Sequence, residues 1–148
     1  MSQIDIKRLG PDDALTFERI ADGVFDGPVE TRWTRAFLDD KRHHMFVAME
    51  GGLVVGMISA VDYVHPDKPP QLWINEVGVA ATHRGRGLAK NLLHTILDVA
   101  RRLGCREAWV LTDRSNAAAL HTYASAGGVE TPPDSVMFTF RLDRETTG

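Results

Sequence analysis

The residues specify a mixed α/β fold, and three observations lead there. Strand-like and helix-like runs interleave in the order β, α, α, β, β, β, α, β, α, β. The runs at 45–49 and 53–63 are apolar on both pleat faces, so the sheet needs helices on both sides. The stretch from Leu72 through a long amphipathic run to Leu111 has the form of a βαβ unit, two parallel strands joined by a right-handed crossover.

Each element has its own reason. Ile4, Ile6 and Leu9 sit among polar residues as a short strand, broken at Gly10-Pro11. Pro11 suits a helix start, and Asp12 and Asp13 favour the positive end of a helix. Leu15, Phe17, Ile20, Ala21 and Val24 carry a helical period up to the stop at Asp26-Gly27-Pro28. Trp33, Phe37 and Leu38 mark a second helix with Thr31 as its N-cap. Glu50-Gly51-Gly52 is a hairpin turn between the strands MFVAM and LVVGMISAVDY. Residues 65–70 hold three prolines and predict a loop before the strand LWINEVGV. Leu88, Leu92, Ile96, Val99 and Leu103 form one stripe of a long helix that Gly104 ends. AWVL at 108–111 is a short strand, and 116–126 a helix closed by Gly127-Gly128. VMFTFRL at 136–142 alternates and is expected to close the sheet.

Composition bounds the function. With 148 residues, the chain fits one domain spanning 1–148. At 43% hydrophobic and 25% charged residues it is no disordered tail. The single cysteine, Cys105, excludes an intrachain disulfide and a cysteine zinc cluster. Seventeen basic against 20 acidic residues, a net charge of −3, argue against nucleic acid as partner. The start MSQIDIKRLG lacks a signal-peptide core, and the apolar run 53–61 is interrupted by Gly56 and Ser59. The expectation is a cytoplasmic protein without a membrane partner.

In open α/β sheets ligands favour the C-terminal ends of strands, which directs attention to 76–90 and 111–123. There His83-Arg84-Gly85-Arg86-Gly87-Leu88-Ala89 lies between a strand and the start of the long helix. Glycines at 85 and 87 permit a tight turn with exposed N–H groups, and the helix N-terminus adds unpaired donors. Arg84 and Arg86 add full charges, so a polyphosphate suits the turn. A Walker loop is absent, and Lys90 stands where a dinucleotide fingerprint needs its third glycine.

Arg84-Gly85-Arg86-Gly87-Leu88-Ala89 resembles the (Q/R)-x-x-G-x-(G/A) signature of the GNAT N-acetyltransferase superfamily. Glu76-Val77-Gly78-Val79 is similar to the strand before that signature, and Asn116 with Ala119, Tyr123 and Gly127 to the second family motif. Gly128 departs from it, since an aromatic residue is common there. The resemblance implies a GNAT fold, a mixed, mostly antiparallel sheet of about 6–7 strands with about 4 helices on both faces. It implies acetyl-coenzyme A as co-substrate, without a metal. The pyrophosphate would lie on Arg84 to Ala89, the pantetheine arm along Val77, Gly78 and Val79, and Asn116 would bond that arm or cap its helix.

Acetyl transfer to an amine must remove a proton, polarise the thioester and release a thiolate. Glu76 is the candidate base, because a carboxylate among apolar strand residues beside the thioester segment calls for a reason. The Val77 N–H is the candidate for polarising the carbonyl. Tyr123, spaced from Asn116 as in the family motif, is the candidate acid for the sulfur. No activated nucleophile is visible, so direct ternary-complex transfer is expected. The six histidines show no metal-ligand spacing.

The stretch from Ser59 to Leu93, with Asp113-Arg114-Ser115-Asn116 and the tail VMFTFRLD, is similar to aminoglycoside 3-N-acetyltransferases of the gentamicin-resistance type. That resemblance implies a small polycationic acceptor held by Glu76, Asp113 and Asp134, a resistance role and a homodimer. Residues 14–40 match it poorly. The alternatives are a protein or peptide amine as acceptor and a non-catalytic acyl-coenzyme A sensor.

Overall fold

The computed structural model describes residues 3–143. Five strands pair in chain order, β1 (Ile4–Arg8), β2 (His43–Glu50), β3 (Leu53–His65), β4 (Lys68–Val79) and β5 (Glu107–Val110). The first three pairings are antiparallel and β4 with β5 is parallel, as the βαβ reading requires. The helices are α1 (Thr31–Asp39), α2 (Leu88–Arg102) and α3 (Ala117–Ser125).

The two faces of the sheet bury different sets. On one face, Phe17, Ile20, Val24 and Phe25 of the N-terminal segment and Leu38 of α1 pack over Met45, Val47, Val55 and Met57. On the other, Leu92 and Ile96 of α2 lie on Ile58, Leu72 and Ile74, and Tyr123 of α3 joins them. Leu92, Ile96 and Leu72 are fully buried, and each such side chain contributes roughly 1.5–3 kcal/mol.

Three expectations are corrected. The helix expected from Ala14 to Val24 is a 3-10 helix that ends at Glu18. Residues 19–21 go instead to the sheet, where the Val54 N–H donates to Arg19 O and the Ala21 N–H to Val54 O, each at 2.9 Å. Ladder hydrogen bonds outweigh the local period there. The expected loop at 65–70 is only a turn, and Pro69 and Pro70 lie inside β4. They are tolerated because the β3–β4 register is broken between Tyr63 and His65. The N-cap of α1 is Glu30, not Thr31.

The expected closing strand at 136–142 is also not formed, which leaves five strands where six or seven were expected. Val136, Met137, Phe138, Phe140 and Leu142 are each at least 75% exposed. Alternation specifies which side chains share a face but supplies no partner edge, and β5 offers only four residues.

Two irregularities of β4 create the site. Ser59 pairs with Glu76 while Ala60 pairs with Ile74, so Asn75 is an extra residue, a β-bulge. Ile74 and Val77 both belong to the α2 face. Without the bulge, strict alternation would send Glu76 into that apolar core beside Ile74. With it, Glu76 joins Ser59 and Met45 on the α1 face. The second irregularity is the short β4–β5 ladder, which covers only Gln71–Ile74 against Glu107–Val110. Beyond it, among the described residues, the outer edge of β4 from Asn75 to Val79 has no strand partner.

Candidate active site

The turn into α2 presents backbone donors and two arginines, an arrangement that suits an anion. Ala81–His83 form one 3-10 turn and Arg84 is extended. Gly85 and Gly87 hold φ of +76° and +77°. A side chain in that left-handed region costs roughly 1–2 kcal/mol. A Cβ at either glycine would meet nothing within 4 Å, so the turn needs glycine for its backbone and is open outside. No side chain caps α2, and the Asn91 N–H donates to Gly87 O at 3.0 Å. The N–H groups of Leu88, Ala89 and Lys90 precede that bond and have no intrahelical acceptor. Buried Leu88 anchors the helix start, while Arg84 and Arg86 stay exposed. The Arg84 Nε donates to Val79 O at 3.4 Å, which keeps the guanidinium at the end of β4. His83 faces inward instead, with Nε2 3.1 Å from Glu50 Oε1 and Nδ1 2.7 Å from Thr82 Oγ1. It fastens the turn to β2.

From this turn the free edge of β4 runs back through Val79, Gly78 and Val77 to Glu76. Gly78 is required by space, since its Cβ would lie 1.9 Å from Val24 O. A linear ligand with amide groups fits such an edge as an added half-strand.

Glu76 ends this path at the wall of a cavity of about 310 Å³. Phe17, Phe25, Trp33, Phe37 and Met45 supply apolar walls, and Asp26 and Glu30 two further acids. Partial burial first, and then the negative charge of Asp26, raise the pKa of Glu76 above the usual carboxylate value. A carboxylate so placed is suited to take a proton from an ammonium group.

Asp26 and Glu30 escaped the sequence reading. In the sequence Asp26-Gly27-Pro28 reads only as a helix stop, and an acid before a proline turn carries no catalytic pattern. Glu30 holds the start of α1, its carbonyl accepting from the Thr34 N–H and Thr34 Oγ1, each at 2.9 Å.

Tyr123 lies on α3, packed against the core under α2, and burial pushes its pKa up. It therefore keeps its proton at neutral pH, as a donor must. The Asn116 side chain accepts from the Ala119 N–H at 3.1 Å and caps α3. At the other end of α3 the Gly128 N–H donates to Tyr123 O at 2.9 Å and the Gly127 N–H to Ala124 O at 3.0 Å. A Cβ on Gly128 would lie 2.8 Å from Tyr123 O, so this turn excludes the aromatic residue common there.

Asp113 and Asp134 do not line the Glu76 cavity. Asp113 is exposed in the loop after β5, and Asp134 in the exposed segment after α3. An ion pair between Arg114 and Glu130 ties these two segments together. Cys105 is half-buried, and burial pushes its thiol pKa up, which suits packing rather than nucleophilic attack. Among the described residues no group of three or more His, Cys, Asp or Glu is placed to hold a metal, and no helix is long and apolar enough to cross a membrane.

Three comparisons place this geometry. N-acetyltransferase 8 of Rattus norvegicus is 33% identical over 95 residues, 64% of this chain and 43% of the relative. The chain thus spans less than half the length of that relative. A crystal structure of an aminoglycoside acetyltransferase from an uncultured soil metagenomic sample, in complex with sisomicin, superposes with a TM-score of 0.81 at 19% identity. It covers 95% of this chain and 97% of that one. The aminoglycoside N-acetyltransferase AAC(6')-Iy in complex with CoA superposes at 0.74 with 22% identity, over 95% and 96% of the two chains. At these identities the two structures establish the shared fold. The family model described as the acetyltransferase (GNAT) family matches residues 14–127, more than three quarters of the sequence. The chain belongs to the acetyltransferase (GNAT) family.

Proposed function

We propose that this chain is an acetyl-coenzyme A-dependent N-acetyltransferase that acetylates a primary amine of a small polycationic acceptor. One observation carries the reading. The uncapped start of α2 and the free edge of β4 form a continuous path that ends at Glu76, on the wall of an acid-containing cavity. The path suits a pyrophosphate followed by an amide-bearing arm. The cavity suits an amine.

In this reading the backbone of Arg84 to Ala89 holds the pyrophosphate, and Val77, Gly78 and Val79 hold the arm, with the amide of Asn116 facing it. Glu76 accepts a proton from the acceptor ammonium, directly or through a water. The free amine nitrogen attacks the thioester carbonyl, whose oxygen bonds the Val77 N–H. The C–S bond breaks, Tyr123 gives its proton to the sulfur, and the second proton of the attacking nitrogen returns to the Tyr123 oxygen, directly or through a water. The electron pair of the nitrogen ends in the new amide, and no acyl-enzyme forms because no nucleophile is activated nearby.

An aminoglycoside acetylated at its 3-N position is the acceptor we propose. Its support is the resemblance of residues 59–93 and the likeness of fold to a structure holding sisomicin. Asp113 and Asp134, exposed outside the cavity, would meet its outer ammonium groups. Thiol release from acetyl-coenzyme A with gentamicin, a linear polyamine and an N-terminal peptide, side by side, tests the assignment. Turnover with gentamicin supports it, and turnover with the peptide alone transfers the site to a protein amine. Product analysis reads the acetylated position.

A further inference from the structure

The sheet face that carries Glu76 continues past the cavity onto an aromatic surface that neither apolar cluster absorbs. Trp73 pairs with Val61 on one side and with Trp109 on the other. Val61 lies two residues from Ser59, the partner of Glu76, so the Trp73–Trp109 row and the Glu76 row share a face about 7 Å apart. The two indoles are stacked, with ring centroids 5.2 Å apart and planes inclined by 9°. The Trp109 indole N–H donates to Tyr63 OH at 2.7 Å, and Tyr63 OH donates to Gln71 Oε1 at 2.5 Å. Gln71 Nε2 donates in turn to Glu107 Oε2 at 3.3 Å. Both indoles are therefore fixed in orientation, yet 38% and 37% of their surface stays open to solvent. They stand on the last two-strand section before β4 and β5 part, where the arm lying along β4 would deliver its reactive end.

We propose that the stacked Trp73–Trp109 pair forms one wall of a ring subsite for the acceptor. An aminated, saturated ring lies through its C–H face and its ammonium groups against the indole face that the stack leaves free, while a neighbouring amine meets Glu76. Aromatic faces attract cations held close to them, and Glu76, one row along the same face, with Asp26 near it in the cavity, adds complementary charge. The inference rests on the N-acetyltransferase reading and assigns the residues that select a ring-bearing polyamine over a linear one, since a linear chain lays far less surface on an indole face.

The test compares gentamicin with a linear polyamine on the native protein and on Trp73→Leu and Trp109→Leu. Each variant should raise KM for gentamicin at least tenfold more than KM for the linear polyamine. Trp109→Phe, which keeps a ring, should lose less than Trp109→Leu. Equal changes for both amines, or no change for gentamicin, overturn the subsite and leave the transferase reading standing. If the native protein releases no thiol with any amine, the transferase reading itself falls and takes the subsite with it. Should the leucine variants fail to fold, tryptophan emission of a Trp33→Phe protein, which lacks the indole of the cavity wall, decides. A larger change with gentamicin than with the linear polyamine supports the indole wall, and an unchanged emission rejects it.

Discussion

Gly78→Ala is the sharpest structural perturbation available at the site. The added Cβ would stand 1.9 Å from Val24 O and 3.0 Å from Val24 C, both backbone atoms. A carbon and a carbonyl oxygen need about 3.3 Å, so β4 and the Val24 segment must separate by about 1.4 Å. Val24 is a buried core residue, and its segment carries Asp26 into the cavity two residues later. No side-chain rotation relieves the clash. Overpacking of this kind costs about 1–3 kcal/mol, and the melting temperature should fall by about 2–12 °C. Gly56→Ala is the control. Its Cβ would lie 3.3 Å from Leu92 Cδ1 and 3.4 Å from Ala48 Cβ and Gly78 O, so a few tenths of an ångström suffice and a smaller loss is expected. Calorimetric melting of both variants, with KM for the amine, is the assay. A Gly78→Ala protein that melts within a degree of the native one, or above Gly56→Ala, would refute the packing of Val24 against β4.

The other predictions concern chemistry. Gly87→Val forces a β-branched residue into a left-handed backbone and should weaken coenzyme A binding at least tenfold, about 1.4 kcal/mol, by titration calorimetry. Unchanged affinity in a folded variant would remove the pyrophosphate from this turn. Glu76→Gln should lower kcat by roughly 10²-fold or more with KM for acetyl-coenzyme A kept. In the native protein the base must be ionised to act, so kcat should fall as pH drops through the Glu76 pKa, which partial burial and Asp26 place above the usual carboxylate value. A profile flat down to ordinary carboxylate pH contradicts that role. Tyr123→Phe should lower kcat by roughly 10²-fold with coenzyme A binding nearly intact, and turnover within twofold of native would reduce Tyr123 to packing.

The sequence was most informative where a local pattern answers to one physical demand. The α2 stripe from Leu88 to Val99, the Gly51-Gly52 turn and the glycines at 85 and 87 each follow from backbone geometry or helical period and stand where the sequence puts them, whereas Leu103, expected on the same stripe, lies past the end of α2 and is 42% exposed. Asn116 caps α3 by its side chain, also a local demand. What escaped depends on distant partners. The 3-10 helix stops at Glu18 because Val54, far along the chain, takes the backbone of residues 19–21. The bulge at Asn75 that turns Glu76 toward the cavity shows only as a register shift against β3. Asp26 becomes a neighbour of Glu76 only through that packing. The alternation at 136–142 predicted a strand, but the described structure gives it no edge.

In the proposed reaction an acetyl group passes from coenzyme A directly to an amine bound beside Glu76. Isotope-labelled acetyl-coenzyme A, incubated with the protein and gentamicin, tests it most directly. The label should appear on an acceptor nitrogen in step with thiol release, with none retained on the protein. Label held covalently by the protein, or released as acetate at the same rate with and without the amine, would contradict the account.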